Sequence, residues 1–120
     1  MGNEILFTAH SPLGYSVVLS SERFYNHITS AEGDHNAHTE FSPAETKKTI
    51  EKPEVIYEGT KPDTDVYFAR SVAEYPRLFL KVVVNTYPEG GDVSTAFLTK
   101  SIAGGIKDGG IKYVSRSNEL

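Results

Sequence analysis

Apolar positions fall into two regimes along the chain. Up to about residue 52 they come in short runs of mixed spacing, and beyond Pro53 they recur with the period of two that marks β-strands. Residues 78–87 are the most legible stretch. Leu78, Leu80, Val82 and Val84 alternate there with Phe79, Lys81, Val83 and Asn85, and both faces are largely apolar, as in a central strand. In the strand predicted over 93–100, Val93, Thr95, Phe97 and Thr99 fall on one parity, opposite Ser94, Ala96 and Leu98. Lys81 is therefore expected beside Thr95 or Phe97 on the adjoining strand.

The same pattern predicts strands over 54–59 and 65–72, rich in Val, Ile, Tyr and Phe, with separators at Pro62-Asp63, Pro76 and Pro88 to Asp92. Short links between sequential strands imply an up-and-down antiparallel meander. Toward the N-terminus, 4–9 and 15–20 flank a Pro12/Gly14 turn and read as a hairpin. Phe24, His27 and Ile28 share a helical face, which predicts a short helix capped by Ser20 or Ser21. Residues 29–41 read as a polar loop. Ser42-Pro43-Ala44-Glu45 then carries a capping box with proline at the first helical position, so a helix is expected to about Glu51, with Ala44, Ile50 and the Lys47 stem facing inward. Gly104-Gly105 and Gly109-Gly110 break the tail; 111–115 reads as an edge strand and 116–120 as a fraying end. The expectation is an α+β domain: an N-terminal hairpin and two short helices packed on one face of a four-stranded antiparallel β-meander, with 1–20 the hairpin, 21–52 helical and 53–115 the sheet.

A length of 120 residues fits a single domain, and 38% hydrophobic content suits one layer of helices on one sheet, leaving the other sheet face open. The absence of cysteine excludes a disulfide framework, a thiolate nucleophile and a thiolate zinc site. The first residues lack a basic and apolar signal, and no apolar run approaches the ~18 residues of a membrane helix. A cytoplasmic chain without a membrane partner is expected. The net charge of −4 is uneven: residues 1–60 hold four basic side chains against nine acidic, and residues 61–120 hold eight against seven. The strand-rich half is the less repulsive one for a phosphate.

Four histidines, His10, His27, His35 and His38, lie in the first third. Imidazoles that converge on one surface suit proton transfer near neutral pH; an imidazole packed in a helix face is the structural alternative for His27. His35-x-x-His38, with Asp34 and Glu40, also admits a metal-dependent hydrolase, although no further ligand motif completes the set. No phosphate loop or nucleophile elbow is present. Among the cations of the meander, Lys81 stands out, because a lysine in an apolar central strand is costly unless it serves a site or reaches an edge.

The order of helix with His27, loop with His35 and His38, proline-started helix, Lys52-Pro53-Glu54-Val55-Ile56, strand with Tyr67, Leu80-Lys81-Val82-Val83-Val84 and Thr95-Ala96-Phe97 resembles small phage-borne and toxin-type nuclease domains of the barnase/EndoU/colicin/RelE superfamily. That resemblance implies a metal-independent bacterial endoribonuclease without a cofactor. Its 2′-hydroxyl transesterification of tRNA or mRNA leaves 2′,3′-cyclic phosphate ends. It also implies a protein inhibitor or immunity partner. Carried over, His27, His35 or His38 transfers protons, Lys81 balances phosphate charge and Thr95 supplies a hydroxyl, with Tyr67, Arg70, Phe97 and Thr99 as substrate-binding candidates. A non-catalytic protein- or RNA-binding module on the same fold is the alternative, and it expects Phe79, Val83, Val93 and Phe97 in one exposed apolar patch.

Overall fold

A computed structural model of the chain describes residues 4–25 and 41–115. Seven strands form one mixed sheet in the order β1-β2-β6-β5-β4-β3-β7. They are β1 (Ile5–His10), β2 (Ser16–Ser20), β3 (Val55–Gly59), β4 (Thr64–Ala69), β5 (Phe79–Tyr87), β6 (Gly90–Thr99) and β7 (Ile106–Val114), with the helices α1 (Ser21–Arg23) and α2 (Pro43–Glu51) between β2 and β3. The expected four-stranded antiparallel meander with two helices is thus corrected. The strands β3 to β6 do run antiparallel in sequence, but they form the middle of a wider sheet.

Both additions satisfy backbone groups that a four-stranded sheet would leave unpaired at its edges. The N-terminal hairpin does not stand apart. Its strand β2 joins β6 in parallel, with Val17 opposite Gly91 and Val18 opposite Asp92. A hairpin alone is marginal in water, and this docking supplies the missing third strand. Glycine makes the approach possible at Gly90, where a Cβ would stand 2.9 Å from the Ser16 carbonyl oxygen of β2; Gly91 clears the opposite neighbour, since a Cβ there would stand 2.9 Å from the Asn85 carbonyl oxygen of β5. At the other edge β7 begins at Ile106, earlier than the predicted 111, and pairs antiparallel with β3 through two register shifts.

The helix α2 carries the predicted capping box: Ser42 Oγ accepts from the Glu45 amide, and Glu45 Oε1 accepts from the Ser42 amide. Its inward face matches the prediction at Ile50, with Lys47 half-buried, and differs elsewhere. Thr46, Thr49 and Ile50 are buried and Ala44 is exposed. The threonines tolerate burial because their hydroxyls donate to the Ser42 and Glu45 carbonyls, each at 3.0 Å. Ser20 caps α1 by accepting from the Arg23 amide.

One sheet face is closed. Leu80, Val82 and Val84 of β5 join Tyr67, Ala96 and Leu98 there in a core that also takes Ile50 of α2 and Phe24. The other face holds a smaller cluster of Val55, Val66 and Phe68, bordered by the half-buried Tyr57, Phe79 and Val83 and the loop residue Ile102. Among the described residues, no helix is long and apolar enough to cross a membrane.

Candidate functional site

Alternation along β5 sends Lys81, Val83 and Asn85 to the less covered face, and the ladder sets Lys81 directly opposite Phe97 and Val83 opposite Thr95 on β6. A register shift follows: Val84 is paired with Val93, which leaves Ser94 as the extra residue of a β-bulge. The predicted parity holds from Thr95 to Thr99, and the bulge overturns it at Val93 and Ser94. Val93 turns into the closed core at 3% exposure, and Ser94 joins Thr95 and Phe97 on the lining of the open side.

These residues form one wall of a cleft of about 390 Å³. Thr60 and Lys61 from the β3–β4 turn, Thr64 at the start of β4 and Gly105 from the segment before β7 line the remainder. Thr64 Oγ1 donates to the Lys61 carbonyl at 2.7 Å and folds that turn. Asn85 Nδ2 donates to Asp92 Oδ1 at 3.3 Å, which fixes the orientation of the amide. Among the described lining residues are two lysines and no carboxylate. A second hollow, of about 470 Å³ between β2, α1 and β6, is lined by Glu22 and Asp92 against Arg23, an arrangement that suits a polyanion less well.

Lys81 is 7% exposed. Its Nζ donates to the Gly104 carbonyl at 2.6 Å and to the Ala103 carbonyl at 3.2 Å. It also stands 5.1 Å from the centroid of the Phe97 ring and 5.8 Å from that of Phe68. Burial pushes the ammonium below its ordinary pKa by disfavouring the charged form. Two of the three ammonium donors are thus engaged, which leaves one for a ligand. Thr95 Oγ1 is buried without a hydrogen-bond partner.

The nine candidates read from the sequence separate. Lys81, Thr95 and Phe97 meet in the cleft. Thr99 pairs with Phe79 farther along the same face, and the Arg70 guanidinium lies over the Phe79 ring at 5.1 Å while pairing with Glu54 at 2.9 Å; neither lines the cleft. Tyr67 lies on the opposite face in the closed core, where its hydroxyl bonds Ser11 and Tyr15. The candidates His27, His35 and His38, and with them the His35-x-x-His38 metal reading, lie outside the described residues. His10 is exposed on β1. The apolar patch expected of a binding module is incomplete: Phe79, Val83 and Phe97 are half-buried on this face, but Val93 is not on it.

Sequence reasoning missed Lys61, Asn85 and Ser94. Asn85 shares the parity of Lys81 and was within reach of that count; Ser94 was hidden by the bulge, and nothing local distinguishes Lys61 from any turn lysine. Comparison with family models, with curated proteins and with solved structures returned no match.

Proposed function

We propose that the cleft over β5 and β6 binds and cleaves RNA, and that the chain is an endoribonuclease of the toxin type. The observation that carries this reading is the composition of the cleft. In a chain of net charge −4, its described lining gathers Lys61 and Lys81, a ring, an amide and several hydroxyls without a carboxylate among them, and the neighbouring Asp92 is engaged by the Asn85 amide. An aromatic ring beside hydroxyls and a cation is the equipment that holds a single-stranded nucleotide.

In this reading the 2′-hydroxyl attacks its neighbouring phosphate, the 5′-oxygen leaves, and the products are a 2′,3′-cyclic phosphate and a 5′-hydroxyl end. Lys81 holds the charge that grows on the phosphoryl oxygens, through its remaining donor and its fixed ammonium. Thr95, whose hydroxyl is buried and unpartnered in the free chain, stands beside it as the hydroxyl candidate, and Phe97 offers a face to a base. Proton transfer is assigned to His27, His35 or His38 by resemblance alone.

Incubation of the pure protein with total tRNA in EDTA, followed by end-group analysis, tests the reading. Cyclic phosphate ends that appear with the native chain and with Lys47→Ala, on α2, but not with Lys81→Met, support it. Inertness of the folded protein toward all RNA overturns it, and a non-catalytic module on the same face then takes its place.

A further inference from the structure

We infer that Gly104 is a positioning residue: its left-handed backbone lays two carbonyl oxygens on Lys81 and thereby holds the ammonium at the wall of the cleft. The inference rests on the ribonuclease reading only for its consequence in turnover; the positioning stands on geometry.

A lysine stem is long and loses much rotamer freedom when fixed, so an ordered, buried ammonium needs specific partners. On β5, Lys81 emerges between Phe68 of β4 and Phe97 of β6, its neighbours on either side of the ladder. The two rings surround the stem but offer no hydrogen-bond acceptor. The acceptors come from residues 103 and 104, at 3.2 and 2.6 Å.

Those carbonyls are available because the chain reverses there through two successive left-handed residues, Gly104 at φ +80° and Gly105 at φ +69°. Side chains rarely adopt such angles, and glycine does so freely. The reversal is anchored on both sides. The Thr60 amide donates to the Gly105 carbonyl at 2.9 Å, and Ile102 packs against the cluster of Val55, Val66 and Phe68. Space is also tight at the first glycine, since a Cβ on Gly104 would stand 3.3 Å from Lys81 Nζ.

The fold contains its own control. Gly109 has nearly the same backbone, φ +73°, but a Cβ there would meet nothing within 4 Å. Gly104→Ala and Gly109→Ala therefore share the left-handed penalty and differ in their effect on the ammonium.

The test is nitrogen-15 NMR of the lysine ammonium groups in the full chain, with the Lys81 signal assigned by its loss in Lys81→Arg. A buried, doubly bonded ammonium exchanges its protons slowly and gives a visible signal near neutral pH. The expected result is that Gly104→Ala loses this signal and Gly109→Ala keeps it. Ile102→Ala, which loosens the segment without altering a glycine, is expected to lose it as well and decides the matter if Gly104→Ala does not fold. In cleavage of tRNA, kcat is expected to fall about tenfold or more in Gly104→Ala and to hold in Gly109→Ala. Persistence of the signal in the folded Gly104 or Ile102 variant, or its equal loss in Gly109→Ala, overturns the inference. A native chain that shows the protected ammonium but cuts no RNA would retire the ribonuclease reading and leave the positioning intact.

Discussion

The hydroxyl of Tyr15 donates to Oδ2 of Asp65 at 2.6 Å, joining the start of β2 to a carboxylate 50 residues away. Asp65 is 2% exposed, and its second oxygen accepts from Lys112 Nζ at 2.7 Å. Because Tyr15 gives its only proton to the carboxylate, Tyr67 must donate to Tyr15 and Ser11 to Tyr67, so one proton order runs from the hairpin turn through β4 to β7. Tyr15→Phe leaves Tyr67 without its acceptor and Asp65 with one donor fewer. A loss of about 1–3 kcal/mol is expected in denaturant unfolding, with RNA cleavage unchanged because the network lies on the face opposite the cleft.

Alkaline pH should act on the same network. Burial first, and then the hydrogen bond to Asp65, hold the Tyr15 phenol protonated far above its ordinary range; burial raises Tyr67 in the same direction. In the unfolded chain both ionise near pH 10. Above that pH the unfolded state has released protons that the native state retains, so stability is fully present below about pH 10 and falls as pH rises, by at most about 1.4 kcal/mol per pH unit for each tyrosine. Denaturant midpoints measured from pH 8 to 11.5 should decline, and less steeply in Tyr15→Phe.

Lys81 has the opposite sign. Its folded pKa lies below the ordinary value, so burial of the charge opposes folding at neutral pH, and that opposition fades as pH rises through the folded pKa toward about 10.4. Lys81→Met keeps an apolar stem between Phe68 and Phe97, and the released carbonyls belong to the exposed Ala103 and Gly104. Stability at pH 7 is expected to be unchanged or about 1 kcal/mol higher, while RNA cleavage drops about a hundredfold. A variant that cleaves normally would remove Lys81 from the chemistry.

What was legible in the sequence follows periodicity and local chemistry. The strand at 78–87, the hairpin and the Ser42 capping box each announce themselves within ten residues or so; parity placed Lys81 beside Thr95 or Phe97, and the ladder register decides for Phe97. What was not legible depends on partners distant in sequence. Gly90-Gly91 looks like turn material, yet it opens β6 where the backbone of β2 must come close. One inserted residue at Ser94 reverses the face of Val93, and alternation alone cannot register an insertion. Residues 106–110, interrupted by glycines, become strand because β3 offers them an edge. Gly90→Ala tests this account: at φ +148° and with a Cβ 2.9 Å from the Ser16 carbonyl oxygen, alanine should cost about 1–3 kcal/mol in unfolding experiments.

Thr95 separates a wall residue from a working one. Its Oγ1 is buried with no partner, a state that costs roughly 1–3 kcal/mol for a hydroxyl taken from water. Thr95→Val keeps the shape and removes that cost, so the folded protein should gain about 1 kcal/mol in denaturant unfolding. Thr95→Ser keeps the hydroxyl and loses one methyl group, at a cost of about 0.8 kcal/mol. If the hydroxyl contacts the reacting phosphate beside Lys81, the two variants order oppositely in stability and in cleavage: valine more stable and slower by tenfold or more, serine less stable and close to native. Equal cleavage by both would make Thr95 only part of the wall, and the hydroxyl would then have to be sought at Ser94, which the bulge turns toward the same cleft.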